Sequence, residues 1–207
     1  MRIPDMNKMT LREKIAQTMI VRQSDLLLRA DKAYGELRGP EEAGEIMRRN
    51  QFGGIWTHGN QDVNGMSDKY NGYFKFTSKN YIKWLNEVTE GVNVPVLCAK
   101  DPGGKGSYSD LSNYPTGLIV GAANSPDLAF ELGKCMGLEQ KAAGCNWLWG
   151  PNVDLIGRFT SSIVRPFSNI REQQISMCAS YIKGMQSVGV AATAKHYPGC
   201  DRTETRD

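Results

Sequence analysis

Lys195 and His196 stand at the end of an apolar run, residues 188–194, and lead straight into Pro198-Gly199 and a charged stretch that ends at Asp207. An ammonium and an imidazole at a strand tip can both donate hydrogen bonds to hydroxyl or carbonyl oxygens of a polar ligand. Neighbouring residues of a continuing strand point to opposite faces, so the two serve one pocket only where the strand ends or bulges. The alternative is a solvated lysine beside a histidine satisfied by the backbone, since polar clusters of this kind also occur for structural reasons.

The elements that must position this pair follow a regular alternation. Thr10-Leu11-Arg12-Glu13 is a capping box, and Leu11, Ile15 and Met19 continue at helical spacing. Pro40-Glu41-Glu42 opens a second helix that closes near Arg48-Arg49, as the helix dipole favours. Tyr81, Trp84, Leu85 and Val88 form the apolar stripe of a third. Ser125-Pro126 caps a helix expected to reach about residue 143, and another is expected over about 171–187. Between them lie four short apolar runs, 53–57, 94–99, 146–149 and 190–194. This rhythm predicts an α/β protein with a parallel sheet. Each run ends in polar residues: His58 and Asn60, Lys100 and Asp101, Asn152 and Asp154, then Lys195 and His196. In parallel α/β folds ligands gather at those C-terminal strand ends, where the βα loops converge. The periodicity alone fits a closed barrel and an open doubly wound sheet equally.

Bulk properties exclude several classes. At 207 residues and 40% hydrophobic content the chain suffices for one domain with a substantial core. A net charge of +3 without a basic run argues against nucleic acid. The opening residues lack an apolar segment of signal-peptide type, and no uncharged run is long enough to span a membrane, so a cytoplasmic location is expected. Five cysteines without a C-x-x-C pair fit a reducing compartment and argue against a disulfide framework or zinc site. No metal or cofactor is expected. Gly103-Gly104-Lys105-Gly106-Ser107 lacks the spacing of a phosphate-binding P-loop.

Six stretches in order resemble glycoside hydrolase family 3. Lys195-His196-Tyr197-Pro198-Gly199 is similar to the family's Lys-His-Phe-Pro-Gly motif. Leu11 through Gln17 resembles its opening helix, and Gly53-Gly54-Ile55 its first strand. Residues 96–101 with Gly103-Gly104 resemble its Asp-x-Glu-Gly-Gly signature, one residue short and without the Glu. Gly150-Pro151-Asn152-Val153-Asp154 is similar to Ala-Pro-Val-x-Asp, and Arg165-Pro166-Phe167-Ser168 to Arg-Ser-Phe-Gly. Cys200 replaces a His that often follows Pro-Gly in the N-acetylglucosaminidase branch.

The resemblance implies a (β/α)8 barrel with only about its first four βα units present. Residues 1–207 would form part of the family's N-terminal domain, 1–50 a helical extension and 51–207 the region of those four strands. It implies a retaining β-glycosidase acting on non-reducing terminal β-N-acetylglucosamine or β-glucose, through a nucleophile and an acid/base. Asp101, Arg165, Lys195 and His196 are implied to bind the terminal sugar of a β-linked oligosaccharide or glycoside. A carboxylate accepts from vicinal hydroxyls while Arg and Lys donate. Asp154 is expected to order the loop after the third strand. The nucleophile falls in a part of the barrel beyond residue 207, so this chain alone is expected to be inactive and to come from a truncated or partial parent. Asp207 lies one residue beyond the usual place of the Asp in an Asp-His acid/base pair; as a single residue it equally reads as a solvated loop carboxylate. Half a barrel would leave an apolar strand edge open to self-association. Two other classes stay open: a carbohydrate-binding remnant without turnover, and an unrelated open α/β protein that binds an anion.

Overall fold

The capping box forms as its residues dictate. The Thr10 hydroxyl accepts from the Glu13 N–H (3.3 Å) and the Thr10 N–H donates to the Glu13 carboxylate (2.8 Å), starting helix α1, Leu11–Ala16. The computed structural model describes residues 5–27, 38–57, 77–101, 111–157, 163–197 and 199. They fall into two units, one running to Lys100 and one beginning at Asp101.

In the first unit α1 is followed by strand β1 (Ile20–Arg22), α2 (Gln23–Leu27), α3 (Pro40–Asn50), β2 (Gly54–Thr57), α4 (Ser78–Thr89) and β3 (Leu97–Lys100). The three strands are parallel, with Ile20 opposite Gly54 and Gly54 opposite Leu97. Met47, Ile55, Tyr81, Trp84 and Val88 are buried, so the stripe read from α4 is its core face. The Tyr81 hydroxyl bonds that of Thr57 at the end of β2 (2.6 Å).

β1 corrects the expectation that residues 1–50 form a helical extension, and it brings the described strands to five instead of four. Met19 continues the i, i+4 spacing of α1, but Ile20 and Val21 are β-branched and pair with β2 instead. Leu11, Ile15 and Met19 are exposed. The expected strand 94–99 begins later, at Leu97, because Pro95 has no N–H to give a ladder.

The second unit contains α5 (Gly117–Ala122), α6 (Pro126–Ala142), β4 (Trp147–Leu148), α7 (Arg171–Ser187) and β5 (Ala191–Ala192). α6 starts at the cap read from sequence, where the Ser125 hydroxyl accepts from the Leu128 N–H (3.4 Å), and α7 spans the 171–187 expected. They pack with almost no space between backbones: a Cβ at Gly133 would stand 2.2 Å from the Tyr181 carbonyl oxygen, and one at Gly184 2.1 Å from that of Phe130. Leu148, Met177, Tyr181, Met185 and Val190 fill the core beside them.

β4 and β5 are parallel, Trp147 opposite Ala191. Their regular pairing is shorter than the four and five residues expected, but contact persists toward the tips. Thr193 N–H donates to the Leu148 carbonyl (3.0 Å), Lys195 N–H to that of Pro151 (2.9 Å), and Asn152 bridges Lys195. Among the described residues no helix is long and apolar enough to cross a membrane.

Candidate functional site

Those tips carry the polar groups. Strand pairing fixes the backbone of Lys195 against residues 151–153, and its side chain then contacts Asp101 through an ion pair between Nζ and Oδ1. The Lys195 side chain is 13% exposed and that of Asp101 41%. The lysine is thus mostly withdrawn from water, while its carboxylate partner keeps open surface for a ligand.

His196 is held from the other side. Asp154, 1% exposed, accepts from the His196 backbone N–H (3.3 Å) and lies 3.0 Å from Nδ1 through its second oxygen. The Asn152 amide also donates to that second oxygen (3.1 Å). An ionised carboxylate only accepts, so Nδ1 carries a proton, and in an uncharged ring the lone pair then lies on Nε2. The peptide bond joining Lys195 to His196 is cis, as is that joining Gly150 to Pro151.

Arg165 is exposed, and among the described residues its side chain makes no hydrogen bond or ion pair with Asp101, Lys195 or His196. Its backbone is closely fixed. Leu118 N–H donates to the Val164 carbonyl (3.2 Å), and a Cβ at Gly117 would stand 1.9 Å from the Arg165 carbonyl oxygen. The structure therefore brings Lys195 to Asp101 and His196 to Asp154, and does not pair the Arg165 side chain with any of these four. Asp207, Cys200, His58, Asn60, the Gly103-Gly104 segment and the aromatic stretch 59–76 lie outside the described residues.

Two residues do more than the sequence reading assigned. Asp154, expected to order a loop, orients a site histidine. Gln174 of α7, which that reading passed over, is 3% exposed and binds both the Arg165-Ser168 segment and the carbonyl of Asn152. The available signal was a polar side chain on the face that also buries Met177, Cys178 and Tyr181. Burial pushes the neighbouring Cys178 thiol up to about 12, and the Asp154 charge adds to the shift. That thiol is a packing group and not a nucleophile. Together the arrangement offers an open carboxylate, a lysine and an oriented imidazole, the donor and acceptor set that neighbouring hydroxyl groups require.

Residues 10–206 match the model of the glycosyl hydrolase family 3 N-terminal domain. The probable β-glucosidase E of Aspergillus oryzae is 39% identical over 111 residues, which cover 52% of this chain and 11% of that protein. The β-N-acetylglucosaminidase/β-glucosidase of Cellulomonas fimi is 30% identical over 118 residues, covering 55% of this chain and 21% of its own. Among solved structures, the family 3 β-N-acetylglucosaminidase from a Paenibacillus species superposes with a TM-score of 0.68 at 23% identity, over 92% of this chain and 34% of that one. That likeness shows the fold: α/β with a parallel sheet, of the (β/α)8-barrel type. The chain spans only about a tenth to a fifth of the length of these curated relatives.

Proposed function

We propose that this site recognises the terminal sugar of a β-glycoside, because the chain belongs to glycosyl hydrolase family 3 as part of that family's N-terminal domain. The parent activity on this reading is retaining hydrolysis of non-reducing terminal β-N-acetylglucosamine or β-glucose. The observation that carries it is the pairing of Lys195 with a partly open Asp101 beside an imidazole fixed by Asp154. Asp101 accepts from two adjacent hydroxyls, and Lys195 and Arg165 donate to hydroxyl oxygens. His196 presents the ring edge that Asp154 has oriented.

Asp207 is assigned, from its place after the Lys-His motif, as the Asp of an Asp-His acid/base pair. In that role it protonates the leaving oxygen and later activates water. Cys98, Cys135, Cys145 and Cys178 are free thiols, which supports a reducing, cytoplasmic setting.

The deciding experiment titrates the chain with methyl β-N-acetylglucosaminide and methyl β-glucoside by ligand-observed NMR, and assays the parent protein on the matching chromogenic glycosides. Saturable binding that is lost in Lys195→Met, with release of chromophore by the parent, is the expected result. Binding of phosphate in place of either sugar would overturn the reading.

A further inference from the structure

We propose that Gln174 is a positioning residue that sets Arg165 against the Lys195-His196 tip; the ligand part of this inference rests on the sugar-site reading above. The Gln174 carboxamide is fully engaged at both ends. Its Oε1 accepts from the N–H groups of Phe167 (2.9 Å) and Ser168 (2.8 Å). Its Nε2 donates to the Asn152 carbonyl (2.7 Å) and lies 3.3 Å from Cys178 Sγ. One buried side chain thus joins the segment that follows Arg165 to the strand end that carries Asn152 and Asp154.

The strand end is in turn tied to the site pair. Lys195 N–H bonds the Pro151 carbonyl, and Asp154 holds His196. Arg165 lies two residues before Phe167, with Pro166 between them, whose ring fixes one of the backbone torsions separating the arginine from the clamp. Gln173 braces the same segment from outside: its Oε1 accepts from the Ser168 hydroxyl (2.6 Å) and its Nε2 donates to the Gly121 carbonyl (2.7 Å). An exposed arginine with no side-chain partner among the described residues depends on such backbone anchoring to present its guanidinium in one place.

No apolar residue can replace this amide without leaving the Phe167 and Ser168 N–H groups buried and without acceptors. Phe167 and Ser168 are both buried, so water does not readily take over. Gln174→Met keeps the length and removes all three of these N–H···O bonds. Gln174→Glu keeps the acceptor and loses the donor to Asn152.

The test compares the unaltered full chain with Gln174→Met, Gln174→Glu, Arg165→Ala and the Arg165→Ala/Gln174→Met double variant. Amide hydrogen exchange over residues 163–170 and affinity for methyl β-N-acetylglucosaminide and methyl β-glucoside are read on each. Gln174→Met should speed exchange at Phe167 and Ser168 at least about tenfold, with Gln174→Glu between it and the parent. Sugar affinity should fall about tenfold, the worth of one misaligned charge-assisted hydrogen bond. In the Arg165→Ala background the Gln174→Met loss should vanish, because the arginine it positions is already gone. A loss of equal size in both backgrounds would overturn the positioning role in favour of general packing. Unchanged exchange at Phe167 and Ser168 would overturn the clamp itself. Failure of the unaltered chain to bind either sugar would sink the sugar-site reading and the ligand half of this inference together, while the exchange comparison would still decide the clamp.

Discussion

Replacing Asp154 by asparagine should reverse the tautomer of His196. The donors to the carboxylate include His196 N–H on one oxygen, and His196 Nδ1 with the Asn152 amide on the other. An asparagine there has one acceptor and one donor end. If its oxygen stays toward Nδ1, its NH2 opposes the His196 backbone N–H, which cannot change its role. If its oxygen serves that N–H, the NH2 faces Nδ1 and the Asn152 amide. Both of those can adapt, Nδ1 by giving up its proton and Asn152 by turning over its amide. The second arrangement leaves no opposed donors, so it should win, and the imidazole proton moves to Nε2.

The magnitudes favour a folded protein with altered chemistry. Asp154→Ala strands three donors; at about 1–3 kcal/mol for the buried Asn152 amide and less for the one-third-exposed His196 ring, the loss should be about 3 kcal/mol. Asp154→Asn keeps a hydrogen-bond partner for all three groups after the switch and gives up only charge assistance, so about 1 kcal/mol is expected. Nitrogen-15 NMR of the histidine ring reads the proton position directly, and denaturant titration reads stability. Any ligand group that donates to Nε2 in the parent would meet an N–H in Asp154→Asn, so sugar affinity should fall although the fold persists. Finding the proton still on Nδ1 in Asp154→Asn, or equal destabilisation by Asn and Ala, would show that Asp154 does not set the His196 tautomer.

Three further outcomes follow from the same geometry. Asp101→Asn should cost more stability than Lys195→Met, about 2 against about 1 kcal/mol by thermal melting, because it leaves the better-buried charge without its counter-ion; the reverse order would show the lysine to be well solvated. Gly133→Ala should destabilise by about 1–2 kcal/mol despite a helix-propensity gain of about 1 kcal/mol, since its Cβ meets a backbone carbonyl that no rotamer change can move; denaturant midpoints decide this. The raised Cys178 pKa contributes stability that is complete below the thiol's ordinary 9.0 and is lost as pH rises toward about 12. Iodoacetamide at pH 8.5 should therefore label exposed Cys135 and spare Cys178 until the chain unfolds, and equal labelling by mass spectrometry would contradict the burial.

What was legible in the sequence was what local chemistry decides. α4 carries its own apolar stripe and α6 its own Ser125 cap, and Pro40 and Pro126 mark the starts of α3 and α6 without help from the rest of the chain. Asp101, Lys195 and His196 were legible because apolar runs deliver them to strand ends. β1 was not, because three residues cannot display a period of two, and Met19 extends the helical spacing into it. Its pairing with β2 depends on residues more than thirty positions away.

The same distance effect explains the incomplete reading of the site. A residue that touches ligand must be polar at a strand end, a rule that sequence can express. A residue that orients another is chosen by what folding brings beside it, and its type carries no such mark. Asp154 and Gln174 share one property, near-complete burial of a fully hydrogen-bonded polar group. Such a group is costly unless each partner is in place, so it penalises any displacement of the segments it joins. Asp154 ties the His196 tip to the residues after β4, and Gln174 ties those residues to the segment after Arg165. The site's precision therefore resides in two buried side chains beneath it. On the proposed sugar-site reading, exposed Arg165 and half-open Asp101 supply contact, while these two anchors hold the segments that carry Arg165 and His196.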